Sequence, residues 1–418
     1  MPSFRSLVGS HYNRSTNMDS KNGNGEVIVS SQDDDSLISR NSTSNDRKPV
    51  LVLINPCSGR GKSMEIYRKF VVPMFQEHQL SHEVFVTKSD LRVPEYLRSL
   101  KKSTLMDYEP IVVISGDGLL HETINALMTH PDRPKLKQIP LGIVPAGSGN
   151  GLAYTLIRQT FPSVKTKNEA IKTCCEQIIK NNRCSTDLVE ITFTSKQRPT
   201  IWSFLSIGWG LMANIDIDSE WLRFIGEFRF SIYGVVKSIT NLSHKGRLSY
   251  RVDPEYLKLN PSIADRLKNE LNSSSQMYNE DSKVVDREFE DPRTVHIEDT
   301  FSCLYATNQR YISRDTQLAP KSTLTDKVIY LTYVRGKMSF CKSVQFLFAL
   351  EDGSHDQLPF VTVVPVKSFK FQPLEPSRIV IDGELIDWTV EQGPMKAKVL
   401  PKAMTLAWTS EDKGTDAK

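Results

Sequence analysis

Ser115-Gly116-Asp117-Gly118 sets one carboxylate between two glycines. The apolar run Ile111–Ile114 ends just before it, and an apolar-periodic stretch starts just after. That pattern predicts a buried strand, a tight turn and a helix N-terminus. Free N–H groups and the helix dipole favour an anion there. Gly116 and Gly118 let a phosphate approach the backbone without a Cβ in the way. A carboxylate inside such a cradle repels its ligand unless it handles Mg²⁺ or takes a proton, so the motif points to phosphoryl transfer. Alone, Asp-Gly is equally an ordinary turn dipeptide.

Other segments carry related chemistry. Gly59-Arg60-Gly61-Lys62-Ser63 ends like a Walker A loop, but Pro56 stands where that motif needs a glycine. Pro145-Ala146-Gly147-Ser148-Gly149-Asn150 is a second cradle whose Ser148 and backbone N–H groups could grip phosphate oxygens. It lacks the dinucleotide-binding glycine spacing, and protein-kinase signatures are absent. Asn214-Ile215-Asp216-Ile217-Asp218-Ser219-Glu220 puts carboxylates beside the apolar run Leu205–Ala213. This suits a cationic or hydroxylated head with an apolar tail, or an exposed acidic helix start. Arg223 and Arg229 follow at spacings that could reach phosphates. Ile381-Asp382-Gly383-Glu384 is a hairpin signal.

The elements that position these residues fall into two sets. Val50–Ile54, Glu83–Thr87, Ile111–Ile114 and Leu141–Val144 are expected strands. They alternate with expected helices after Asn55-Pro56, over Pro94–Leu105, after Gly118, near 150–158 and near 168–181. Pro73 is expected to kink or split the first helix. Alternation implies a parallel sheet with helices on both faces, and ligands then bind at the strands' carboxyl ends. Asn55–Gly61, Thr87, Ser115–Gly118 and Pro145–Asn150 all lie there. From about Leu188, strand-like runs dominate, among them Ile201–Ile207, Phe360–Val366 and Ser368–Phe371, interrupted by helical stretches around 213–242 and 338–350. Residues 1–48 and 411–418 are expected tails, 49–182 an α/β nucleotide-binding domain and 183–410 a mostly antiparallel β domain with a mobile insertion at 262–292.

The chain has 418 residues and a formal net charge of +4, without the basic footprint of a nucleic-acid binder. Its six scattered cysteines form no Cys-x-x-Cys pair, which fits a reduced, intracellular protein. No signal peptide or spanning segment is visible, so a cytoplasmic protein is expected.

Together these motifs resemble the sphingosine kinases, of the wider diacylglycerol-kinase-like group, over roughly residues 49–410. The resemblance rests on Asn55-Pro56 with Gly59 and Gly61, on Ser115–Gly118, Pro145–Asn150 and Asp382-Gly383-Glu384. It rests also on Leu119, His121-Glu122 and the run Ile215-Asp216 through Glu220, Arg223 and Gly226–Arg229. It implies a β-sandwich lipid-binding second domain and an active site in the cleft between two domains. The activity implied is ATP- and Mg²⁺-dependent phosphorylation of the primary hydroxyl of sphingosine and related sphingoid bases.

The resemblance makes Asp117 the catalytic carboxylate, possible Mg²⁺ contact included, the metal otherwise being carried by the ATP phosphates. It gives ATP to Asn55, Thr87, Ser115, Gly116, Ser148, Arg223, Arg229 and Glu384. Pro56, Gly59, Gly61, Gly118, Glu122, Gly147, Gly149, Asp382 and Gly383 complete that set. Asp216 would bind the sphingoid amine and secondary hydroxyl, with Glu220, Leu205 and Leu211 beside the lipid. Two departures stand out: Ser58 replaces a glycine usual in the first loop, and Asn214 replaces a frequent Asp. Peripheral recruitment to an anionic membrane surface is expected, through Arg60 and Lys62 with Ile232, Val235 and Val236, and a homodimer is possible. Rival readings are a ceramide or diacylglycerol kinase, more distantly an NAD kinase, and a catalytically weak lipid-binding scaffold.

Overall fold

The computed structural model describes residues 47–88, 92–195, 198–211, 213, 243–252, 258, 289 and 294–409. The first half of the chain runs β1 (Val50–Ile54), α1 (Ser58–Gly61), α2 (Ser63–Ile66), α3 (Val72–Glu77), β2 (His82–Val86), α4 (Val93–Ser99), α5 (Lys102–Met106), β3 (Ile111–Ser115), α6 (Asp117–Thr129), α7 (Arg133–Leu136), β4 (Leu141–Pro145), α8 (Gly151–Thr160) and α9 (Lys167–Lys180). β1, β3 and β4 are buried along their whole length, as their unbroken apolar runs require of parallel strands covered on both faces. Odd and even positions part cleanly. Leu51, Leu53, Ile111 and Val113 pack with α6 and α8 residues such as Leu120 and Leu152. Val50, Val52, Val112 and Ile114 pack on the other face with Phe75, Ile171 and Ile178.

Two helices differ from expectation. The first helix is not split at Pro73: it runs on from Ser63 to Glu77 with helical backbone at each junction, and the stretch before Pro73, Tyr67–Val71, is wound as a π-helix. Pro73 has no N–H for the carbonyl one turn back, so the ladder widens there. The helix expected over 94–105 is two helices, broken where Leu100 and Lys101 turn extended and Leu100 packs on the core.

The second half contains β5 (Arg183–Phe193), β6 (Ile201–Ser203), β7 (Ser206–Gly210), β8 (His244–Val252), β9 (Thr294–Thr307), β10 (Tyr311–Ser313), β11 (Thr316–Gln317), β12 (Ile329–Arg335), α10 (Phe340–Asp352), β13 (Thr362–Pro373), β14 (Ser377–Ile381), β15 (Glu384–Trp388) and β16 (Met395–Ala407). Its pairings are antiparallel within this half. β9 pairs with β8 over its first part and with β12 and β7 over its second. β13 likewise passes from β12 to β8 and β16. Strands that change partners fold the sheet onto itself, so inner faces meet around Trp209, Tyr250, Phe369 and Phe371. The fold is therefore an α/β domain followed by an antiparallel β-sandwich domain. β16 joins them. It pairs with β13 and β5, and Leu406 pairs in parallel with Leu141 of β4.

The long, bent strand β16 is pinned by a buried carboxylate. Asp187 accepts the backbone N–H groups of Lys327 and Lys402, each at 2.7 Å. Both residues have left-handed backbone (φ 63° and 48°), so the carboxylate holds two costly turns in place. Nearby Asp326 accepts from Thr323 N–H and the Tyr330 hydroxyl. Burial pushes its carboxyl from 3.8 up to about 6, with the Asp187 charge adding to the effect. Between those values the folded chain keeps a proton that the unfolded chain has lost. This contribution to stability is present below the unfolded value and is lost as pH rises through the folded one. The urea midpoint of the natural protein should therefore fall more steeply between pH about 4 and about 6.5 than that of Asp326→Asn. Parallel slopes would dismiss the assignment.

Candidate active site

The parallel strands lie in the order β2-β1-β3-β4. The chain leaves β1 toward one side and returns to β3 on the other, which opens a crevice at their carboxyl ends. The turns after β1, β3 and β4 border it. Asn55, Pro56, Ser58, Thr87, Gly116, Asp117, Gly118, Gly147, Ser148 and Gly149 are all half-buried there, while the strands beneath are dry. Gly61 has φ +78°, a left-handed turn conformation that favours glycine.

The three turns hold one another. Asn55 accepts the Cys57 N–H on its side-chain oxygen at 2.9 Å and so closes the first turn. Ser58 Oγ reaches across to accept the Gly116 N–H at 2.9 Å. Asp117 reaches on to the third turn. Its Oδ2 accepts the Asn150 N–H at 2.6 Å and its Oδ1 the Gly151 N–H at 3.1 Å. Asn150 has left-handed backbone (φ 61°) and returns the contact by donating from Nδ2 to the Ser115 carbonyl at 2.8 Å. Only glycine fits between these turns. A Cβ on Gly147 would lie 2.4 Å from the Gly116 Cα, and one on Gly149 2.5 Å from Asp117 Oδ2.

The N–H groups of the β4–α8 turn can be accounted for singly. Ala146 and Gly147 donate to the Ser115 carbonyl, and Asn150 and Gly151 to Asp117. Those of Ser148 and Gly149 have no acceptor among the described residues, and they lie at the rim of the crevice. They are the donors that this cradle has to offer an anion.

The site is completed from the second domain. Asp117, His121 and Asn125 are four residues apart and share one face of α6. His121 Nδ1 meets Asp382 Oδ2 at 2.9 Å. Asn125 makes a two-way bond with the backbone of Trp202 in β6, 2.9 Å in each direction. Thr155 of α8 is bonded likewise to Tyr311, tying down the β10–β11 hairpin.

Asp382 and Gly383 form the β14–β15 turn expected from their types, both with positive φ (53° and 87°). Asp382 does not face the crevice as an ATP ligand would. It is buried, and its two oxygens accept Ser203 Oγ (2.6 Å), the N–H groups of Phe204 (3.1 Å), Leu205 (3.0 Å) and Ser206 (2.9 Å), and His121. These bonds explain why the single strand expected over 201–207 is divided into β6 and β7. Burial of the His121 ring opposes its protonation. The Asp382 hydrogen bond and charge, with Glu384 and Glu122 adding, outweigh burial and raise its pKa.

The remaining expected site residues are distributed unevenly. Glu384 is brought to the crevice, with Oε1 2.8 Å from where a Gly118 Cβ would be. Glu122 is ion-paired with Arg92, a partner that sequence reading missed. Leu205 and Leu211 are buried in different apolar clusters. Leu205 presses on Gly151 in the α/β core. Leu211 packs with Tyr305, Phe346 and Leu350 beneath α10. Beside that second cluster His355 is buried with its ring edge-on to Phe346 and close to the Leu318 and Ala349 backbone. Asp216, Glu220, Arg223, Arg229, Asn214, Ile232, Val235 and Val236 lie outside the described residues, as does the side chain of Arg60. No helix among the described residues is long and apolar enough to cross a membrane. None of their His, Cys, Asp and Glu side chains form a group of three that could hold a metal.

Known proteins match this arrangement. The diacylglycerol kinase catalytic domain family matches residues 49–191. Sphingosine kinase 1 of Caenorhabditis elegans is 32% identical over 375 residues, covering 82% of this chain and 78% of the relative. The chain belongs to the sphingosine kinase family. Within this family of lipid kinases, human sphingosine kinase 1 is 29% identical and is covered over 88% of its length. Sphingoid long chain base kinase 4 of Schizosaccharomyces pombe is 28% identical, with 85% of this chain and 74% of the relative covered. The fold is also that of a putative diacylglycerol kinase from Bacillus anthracis str. Sterne (TM-score 0.58, 16% identity, covering 88% of this chain and 98% of that one).

In this sphingosine kinase family member, the β14–β15 turn is held by Asp382 alone at five points. Asp382→Ala should lower stability by about 3–5 kcal/mol, since it leaves buried donors and the His121 ring without their acceptor. Urea unfolding measures this directly. A loss below about 1 kcal/mol would show that water replaces the carboxylate.

Proposed function

We propose that the protein transfers the terminal phosphate of ATP to the primary hydroxyl of a sphingoid base, giving sphingosine 1-phosphate or its analogue. The observation that carries this reading is the setting of Asp117. It is a carboxylate fixed by two N–H bonds inside a glycine-walled crevice, with free donors of the neighbouring turn beside it. Each carboxylate oxygen has more than one acceptor direction, so a carboxylate already oriented by backbone can also accept a substrate hydroxyl proton. Ser148 and Gly149 N–H groups favour phosphate oxygens at the rim. The enzyme's task is then to position the hydroxyl and phosphate and to stabilise charge.

Mg²⁺ fits this donor set in one way. With no cluster of three ligands among the described residues, the ion would be held by the nucleotide's phosphates with one or two carboxylates, Asp117 and Glu384 being the candidates. It supplies neutralisation of phosphate charge when bound. The lipid tail is assigned by family resemblance to the second domain, where Leu211, Tyr305, Phe346 and Leu350 form an apolar cluster under α10. Selection of the sphingoid head falls to Asp216 by family resemblance. An ammonium can pair with that carboxylate, whereas ceramide and diacylglycerol leave it unpaired.

Phosphate transfer from labelled ATP to sphingosine, dihydrosphingosine, ceramide, diacylglycerol and NAD tests the reading. Transfer to the two sphingoid bases alone is expected. Equal transfer to ceramide would refute the role of Asp216, and transfer to none would leave a lipid-binding scaffold. Asp117→Asn should lower kcat by about 10²–10⁴-fold. It should also lower the melting temperature, because its amide NH₂ confronts the Asn150 and Gly151 N–H donors. Retained turnover in a folded Asp117→Asn protein would reject Asp117 as the base.

A further inference from the structure

We propose that Ser58 is a built-in stand-in for phosphate, holding the Gly116 N–H until the nucleotide displaces it. This rests on the ATP reading above. Gly116 precedes α6 and has no side chain with which to cap it. Its own N–H is instead taken by Ser58 Oγ, 58 residues earlier in the chain, at 2.9 Å.

Ser58 is set firmly for this task. Its N–H donates to the Asn55 carbonyl at 3.1 Å, and its carbonyl accepts the Ser63 hydroxyl at 3.0 Å. A Cβ on Gly116 would make only ordinary contacts, 3.4 Å from the Gly147 Cα and 3.6 Å from Ser58 Oγ. The hydroxyl, however, already occupies the direction of the Gly116 N–H. A phosphate oxygen that takes this N–H at the helix start must therefore move the hydroxyl aside. The helix N-terminus draws either oxygen, but phosphate carries the charge that its dipole favours. Ser58 thus keeps the empty turn closed and weakens nucleotide binding by the worth of one neutral hydrogen bond. A glycine at 58 would leave the N–H to water.

Titration of the full-length protein with Mg-ADP and Mg-ATP, as natural sequence, Ser58→Ala and Ser58→Gly, tests this. Both variants should bind nucleotide about 2- to 10-fold tighter, the equivalent of one such bond. The KM for ATP should fall while that for the lipid is unchanged. Amide exchange gives a second readout. Without nucleotide, the Gly116 N–H should exchange faster in Ser58→Ala than in the natural protein. With nucleotide, the two should be equally protected. Equal or weaker binding by a folded Ser58→Ala protein, in which the hydroxyl acts as a donor to phosphate or does nothing, overturns the proposal. Failure of the natural protein to bind either nucleotide would instead overturn the ATP reading itself, and this proposal with it.

Discussion

The Asp117 carboxylate bonded to the N–H groups of Asn150 and Gly151 is the contact on which the site depends. It sets the spacing of the β3 and β4 turns, which touch backbone to backbone at Gly116 and Gly147. Those N–H groups open α8, where a negative charge is favourable. A neutral side chain would satisfy the same donors less strongly, since charge-assisted hydrogen bonds are roughly twice as strong as neutral ones. Structural and chemical demands therefore meet in one side chain. In the proposed reaction, the carboxylate that orders the crevice is also the group that would receive the proton.

A second carboxylate extends this order between the domains. Asp382 gathers the Ser203–Ser206 segment and His121 onto the β14–β15 turn, and the same turn delivers Glu384 to Gly118. α6 is thus held at its start by the β4 turn, one turn later by Asp382 and one turn later again by Trp202. The polar stripe Asp117–His121–Asn125 faces these partners, while Leu120, Ile124 and Leu127 face the apolar core. One helix with two faces positions the crevice from both domains, and β16 makes the same connection through the sheet.

The parallel half of the fold was readable because each of its signals is local. Unbroken apolar runs such as Ile111–Ile114, followed at once by glycine turns, specify a buried strand and its exit within a dozen residues. The type of the Asp382-Gly383 turn was readable for the same reason. What escaped depends on distant partners. Nothing near Phe204 and Leu205 shows that their N–H groups bond to a carboxylate 178 and 177 residues away, so a divided strand read as one. The separate strands expected at 360–366 and 368–371 are one bent strand, since β12, β8 and β16 take successive stretches of it. Leu205 and Leu211 stand six apart in one apolar run, yet the turn between β6 and β7 sends them to different cores. Ser58 and Arg92 carried no local signal for the bonds they make to Gly116 and Glu122.

The three glycine turns, alike in sequence, are unequal in what they can give a ligand. In the β4 turn four N–H groups are committed to Ser115 and Asp117, which leaves Ser148 and Gly149. In the β3 turn the Gly116 N–H is bonded to a neutral hydroxyl. Asp117 cannot release Asn150 and Gly151 without exposing two donors at a helix start and loosening the Gly116–Gly147 contact. Ser58 can be exchanged for a better acceptor at the cost of one neutral hydrogen bond. The crevice therefore combines a fixed wall, set by a carboxylate, with an adjustable one, set by a hydroxyl. On the proposed function, that division would let the backbone stay ordered when empty and keep some donors within reach of an incoming phosphate.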